Sequence, residues 1–136
     1  MFGKKDGKPQ TRIDSLIGAG TRIDGNVTFS GGLRIDGEVK GNVMGAAGDS
    51  ATLVISEQAT VEGEVRVAHM VVNGTVKGPI YCSESIELQP HSRVSGDVFY
   101  KALEMHVGAS IDGRLVHGGE GLTESRPVEL KVASRN

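Results

Sequence analysis

One pentapeptide, apolar-x-Gly-x-apolar, returns six times along this chain and constrains it more than any other feature. It reads Ile23-Asp-Gly25-Asn-Val27, Val39-Lys-Gly41-Asn-Val43 and Val61-Glu-Gly63-Glu-Val65, then Val76-Lys-Gly78-Pro-Ile80, Val94-Ser-Gly96-Asp-Val98 and Ile111-Asp-Gly113-Arg-Leu115. The glycine-to-glycine steps are 16, 22, 15, 18 and 17 residues, a mean period near 17.6. Self-similarity at a short, nearly fixed period is the mark of a solenoid, in which each repeat contacts only its neighbours.

Each period carries a second apolar pair before the pentapeptide, such as Leu53/Ile55, Ile86/Leu88 and Leu103/Met105. The second member lies six residues ahead of the motif in long repeats (Ile55 to Val61, Leu88 to Val94, Met105 to Ile111) and four ahead in short ones (Ile35 to Val39, Val72 to Val76). The short repeats hold the turn dipeptides Asp36-Gly37 and Asn73-Gly74. The one long step contains Gly45-Ala-Ala-Gly-Asp-Ser50, read as a loop at one corner. Apolar residues alternate with polar ones over four to six positions and then stop at Gly, Asn, Asp or Ser, which is a strand pattern and not a helical one.

The expected fold is therefore all-β. It is a single-stranded parallel β-helix of about six rungs and three short strands per rung, stacked about 4.8 Å apart. Ile23, Val39, Val61, Val76, Val94 and Ile111 form one interior column, and Val27, Val43, Val65, Ile80, Val98 and Leu115 the next. By alternation Gly25 also points inward, at a corner with little room and a bend that asks for positive φ. Residues 1–14 read as a flexible basic tail, 15–117 as the β-helix core and 118–136 as a flexible polar tail.

Composition agrees. There are 20 Gly, three Phe, two Tyr and no Trp, which suits many small strands better than an aromatic core. A single cysteine excludes an internal disulfide and points to a reducing, cytoplasmic setting. No apolar run reaches membrane-spanning length. Residues 1–12 carry a net +3, residues 118–136 none, and the body between them −5. An acidic body argues against nucleic acid as a partner.

Chemistry-bearing residues are scattered. His69, His91, His106 and His117 show no metal-ligand spacing and read as surface or rung-edge residues. Cys82 falls on the inward parity and reads as a buried structural thiol. No phosphate-binding glycine loop precedes a helix, so no nucleotide or other cofactor is expected. Three classes of function remain: a self-assembling structural protein, a left-handed β-helix acyltransferase of the hexapeptide type, and a passive, non-polymerising scaffold. The hexapeptide reading needs a strict step of six, whereas this chain mixes sixes, fours and elevens. A rod whose ends lack a capping helix is sticky at both ends and points to the first class. Leu103, Met105, Ile111 and Leu115 are expected at one end and Leu16, Ile17, Ile23 and Val27 at the other. The opposing reading folds Leu122, Val128 and Leu130 back as a cap. At the N-terminus Met1 and Phe2 precede Lys4, Lys5 and Lys8, an order suited to a tip inserted among headgroups with lysines on anionic lipid.

On the head Met1-Phe-Gly-Lys-Lys5, the six-fold apolar-x-Gly-x-apolar core and the RIDG-x-V-x-G run from Arg34 to Gly41, the sequence resembles the bactofilins over about residues 1–117. That resemblance implies a right-handed parallel β-helix. It also implies nucleotide-independent filaments without polarity, lying on the cytoplasmic face of the inner membrane and serving cell shape and cell-wall enzymes. Many members carry Phe in a last-rung G-A-x-F-x-G segment that supports polymerisation. Here the segment is Gly108-Ala-Ser-Ile111-Asp-Gly113, with Ile111 in place of the Phe.

Overall fold

The computed structural model describes residues 13–46 and 50–118. The N-terminal tip, most of the C-terminal tail and the middle of the 45–50 loop lie outside the described residues. Among those described, all regular structure is strand. The first rung is β1 (Ser15–Ile17), β2 (Arg22–Asp24) and β3 (Val27–Phe29), and the second is β4 (Gly32–Ile35), β5 (Glu38–Lys40) and β6 (Val43–Gly45). The third is β7 (Thr52–Ile55), β8 (Thr60–Glu62) and the first half of β9 (Val65–Val72), whose second half opens the fourth. That rung continues through β10 (Thr75–Lys77) into β11 (Ile80–Leu88), which likewise bends into the fifth, with β12 (Arg93–Ser95) and β13 (Val98–Tyr100). The sixth is β14 (Ala102–Met105), β15 (Ser110–Asp112) and β16 (Leu115–His117).

Every strand pairs in parallel with its counterpart one rung away, which makes a three-sided prism. The second face is a separate six-stranded sheet in the order β15-β12-β10-β8-β5-β2. The first and third faces join into one ten-stranded sheet because β9 and β11 run through the corner between them, β11 with a bulge between Cys82 and Ser85.

The register stacks like on like. On the second face Ile23 lies against Val39, Val39 against Val61, Val61 against Val76, Val76 against Val94 and Val94 against Ile111. On the third face Val27, Val43, Val65, Ile80, Val98 and Leu115 follow one another. The first face adds Ile17, Ile35, Ile55, Val72, Leu88 and Met105. Ile35, Val39, Val43, Val61 and Val76 are wholly buried. Their branched side chains have few rotamers to lose on the pleated wall, so burial there costs little entropy.

The glycines of the repeat differ from the expectation. A Cβ on Gly63 would point along the stack and not into the core, 2.2 Å from the carbonyl oxygen of Gly41 one rung below. Gly41, Gly78, Gly96 and Gly113 are in the same position relative to the glycine beneath them. The limiting space is thus the gap between rungs. Gly25, in the first rung, has nothing within 4 Å of that position. Beside the glycines, Asn26 Oδ1 accepts the Asn42 amide, Asn42 Oδ1 the Glu64 amide and Asp97 Oδ1 the Arg114 amide, so side chains bond this corner from rung to rung.

The corner between the first and second faces takes two forms. Long turns close with backbone hydrogen bonds from Thr21 to Gly18, Ala59 to Ser56, Ser92 to Gln89 and Ala109 to His106. The short corners at Gly37 and Gly74 recede between them and leave clefts on this edge. One is lined by Ala19, Gly20, Asp36, Gly37 and Gln58, another by Glu57, Thr75, Pro90, His91 and Arg93. The last residue of two of these turns is buried at the core's corner, Ala59 and Ser92 both 1% exposed, while Ala109 is half-buried and Thr21 exposed. Among the described residues the Ser92 hydroxyl has no hydrogen-bond partner.

Two stability predictions follow from these contacts. Gly63→Ala forces a side chain onto the Gly41 carbonyl at φ +153° and should cost about 3 kcal/mol, whereas Gly25→Ala, strained at φ +146° but facing open space, should cost about 1 kcal/mol. Equal melting temperatures for the two variants would contradict a rung-gap origin. Ser92→Ala removes a buried hydroxyl without a partner and should raise stability by about 1 kcal/mol in denaturant titration.

Candidate functional site: the two ends of the rod

The strands of the first and last rungs have a strand partner on one side only among the described residues. β1, β2 and β3 pair solely with β4, β5 and β6, and β14, β15 and β16 solely with β11, β12 and β13. Each end therefore presents parallel-sheet edges on all three faces with the apolar columns running up to them. The order arises locally, since each strand is only three or four residues long before a turn residue stops it.

The structure distributes the expected end residues unevenly. At the first rung Ile23 and Val27 are half-buried, Ile17 is buried, and Leu16 points off the outer face at 59% exposure, next to Arg34 in the ladder. Ile13, just ahead, is exposed as well. At the last rung Leu103 and Met105 are half-buried, whereas Ile111 and Leu115 are buried. Val107, at the tip of the last long turn, is almost fully exposed and was not anticipated from the sequence. Met1, Phe2, Lys4, Lys5 and Lys8 lie outside the described residues.

Histidines and carboxylates are brought together in ways the sequence reading did not anticipate. His69 is buried at the corner between the third and first faces, not at the surface, and its Nδ1 lies 2.9 Å from Ser85 Oγ one rung away. Burial pulls its pKa below the usual histidine value, with Glu84 opposing weakly. The pair satisfies two polar groups inside the stack. On the outer first face Glu87 and Glu104 are in register, and like charges directly opposite repel. His106 Nε2 sits 2.9 Å from Glu87 Oε2 and 3.4 Å from Glu104 Oε2 and relieves that repulsion when protonated. These three side chains have ligand atoms within 4.8 Å of one another, close enough to share a divalent cation.

Other shifts are structural. Hydrogen bonds from Arg34 and then Ser56 hold Asp36 below the usual carboxylate range, and Arg114 does the same to Asp97. Burial drives the Cys82 thiol far up, so it is no nucleophile at neutral pH.

Comparison with known proteins fits this geometry. A family model described as "Bactofilin: Polymer-forming cytoskeletal" matches residues 15–116. The chain is 30% identical over 119 residues to Bactofilin BacP of Myxococcus xanthus (strain DK1622), and 28% identical over 102 residues to Bactofilin BacO of the same strain. These alignments span 87% and 75% of this chain, but 48% of BacP and 78% of BacO, so the chain matches about half the length of BacP. No solved structure matches it. A six-rung parallel solenoid whose end strands lack an outer strand partner among the described residues, matched by that model over residues 15–116, belongs to the bactofilin family of polymer-forming cytoskeletal proteins.

Proposed function

We propose that this chain polymerises end to end, terminal rung on terminal rung, into filaments that need neither nucleotide nor any chemical step. The filaments lie on the cytoplasmic face of the inner membrane and act there as a scaffold for cell shape and for cell-wall enzymes. The observation that carries this reading is the pair of unpaired three-sided edges at the ends of the stack. A parallel-sheet edge left bare in water is a template for further pairing. Docking two rungs would satisfy backbone groups on three faces at once and close the interior columns over Ile23 and Val27 at one end and Leu103 and Met105 at the other. The polymer-forming description of the family supports self-association. The family is structural, and the acyltransferase and passive-scaffold alternatives gain nothing from it.

The membrane part rests on the N-terminal order of residues. Burying Met1 and Phe2 among headgroups would contribute about 1.5–3 kcal/mol each, and each nearby lysine roughly 1 kcal/mol on anionic lipid. Set against the ordering of a tail, one copy binds weakly, whereas a filament presents many copies and gains by effective concentration.

Two experiments test these halves separately. Ile111→Arg and Ile23→Arg each place a cation at one end of the apolar stack, where an unpaired buried charge costs several kcal/mol. Each variant should run as a small species in gel filtration while keeping its β-type circular dichroism. A monomer indicates first-on-last docking and a dimer indicates like ends mating. Long filaments from both variants would refute end-to-end assembly, and loss of β signal in either would assign that residue to folding. Phe2→Ala should release filaments from anionic liposomes in sedimentation and leave polymerisation intact. Ile111→Arg should also lose most liposome binding, and if it binds as tightly as wild type, avidity is not the explanation.

A further inference from the structure

The outside of the first face gathers four polar side chains into one patch. Leu88 and Met105 point into the core, so Glu87 and Gln89 on one rung, and Glu104 and His106 on the next, point outward. The ladder continues to the last of these, since the His106 N–H is bonded to the Leu88 carbonyl. Neighbouring rungs lie about 4.8 Å apart, and alternate residues of a strand share a face. The four side chains are thus the corners of one small rectangle. In the two rungs before them the Glu87 position is held by Val71 and Val54, so this donor set belongs to the last two rungs. No spacing in the chain marks it, because Glu87 reaches His106 through the register alone.

Within the patch the polar atoms converge. His106 Nε2 lies 2.9 Å from Glu87 Oε2 and 3.4 Å from Glu104 Oε2. Gln89 Nε2 donates to Glu87 Oε2 at 3.3 Å. One imidazole nitrogen and two carboxylate oxygens therefore lie within 4.8 Å of one another. A tetrahedral zinc ion with ligands at about 2.1 Å spaces them about 3.4 Å apart, so small rotations of the glutamate ends close the set on one ion. The imidazole decides the class of cation. Magnesium and calcium take oxygen donors, whereas nitrogen beside carboxylate suits zinc and its transition-metal neighbours. Glu87 and His106 are half-buried and Glu104 is exposed, which leaves a remaining position open to water.

We propose that Glu87, Glu104 and His106 bind a zinc-type divalent cation on the outside of the first face, His106 through Nε2 and each glutamate through a carboxylate oxygen. The ion removes the repulsion between two in-register carboxylates. It also ties β14, which among the described strands pairs only with β11, to the rung beneath it. This goes beyond the assembly reading, because the site lies on the side of the rod and takes its ion whether or not the ends dock.

Calorimetric titration of zinc chloride into the full chain, stripped beforehand with a chelator, tests this. Saturable binding of one ion per chain is expected. His106→Gln and Glu104→Gln should each weaken it at least tenfold, with circular dichroism unchanged. Hydrogen exchange on the wild-type protein localises the ion without any variant, since the amides of residues 102–106 should exchange more slowly with zinc than without it. Absence of saturable binding reduces the group to an ion-paired cluster and overturns the proposal. Binding that His106→Gln leaves unchanged, or zinc protection that falls only outside residues 85–106, places the ion elsewhere and overturns it as well.

Discussion

The close approach of each rung's backbone to the one before it, along three faces at once, is the contact on which this molecule depends. A parallel ladder holds strands about 4.8 Å apart, and at the Gly41–Gly63 corner that spacing leaves no volume for a single methyl group. Everything else follows from keeping the gap closed. Apolar side chains must stack on side chains of similar shape, so the columns are Val and Ile with occasional Leu and Met. Polar corner residues must spend their hydrogen bonds along the stack, as Asn26, Asn42 and Asp97 do.

Variation is confined to the places where it does not open that gap. The corner between the first and second faces accepts turns of two lengths because the strands on either side keep their register whichever turn joins them. Its short forms need Gly37 and Gly74, where a side chain would strike carbonyl oxygens of the neighbouring rung. The outer faces tolerate charged pairs such as Arg34–Asp36 and Lys77–Glu62, which are partly solvated and contribute little. A rod of this kind has a uniform interior and individual flanks.

A solenoid of stacked rungs cannot close on itself, so the contact that builds it is left unmade at both ends. The forces that add a sixth rung to a fifth would add a second molecule to the first. The proposed end-to-end assembly is, on this view, the folding contact repeated between molecules. The ends differ in how much apolar side chain they leave uncovered, with Ile23 and Val27 less buried than Ile111 and Leu115.

The sequence by itself determined the period, the six rungs and the membership of the interior columns. Each column takes one residue per repeat at a constant offset from a glycine, and burial demands an apolar side chain there. Tertiary structure alone decided which outward residues meet. The Tyr81–Phe99 stack, the His69–Ser85 bond and the Glu87–Glu104–His106 group join residues 16 to 19 apart. Counting out from the Leu88–Met105 column would have found the glutamate pair, but outward positions bear no common residue type that marks their register. The direction of the glycine corner was also hidden. Alternation places Gly25 and its equivalents inward, whereas positive φ turns the would-be side chain toward the next backbone, a relation between two rungs that one repeat read alone does not contain.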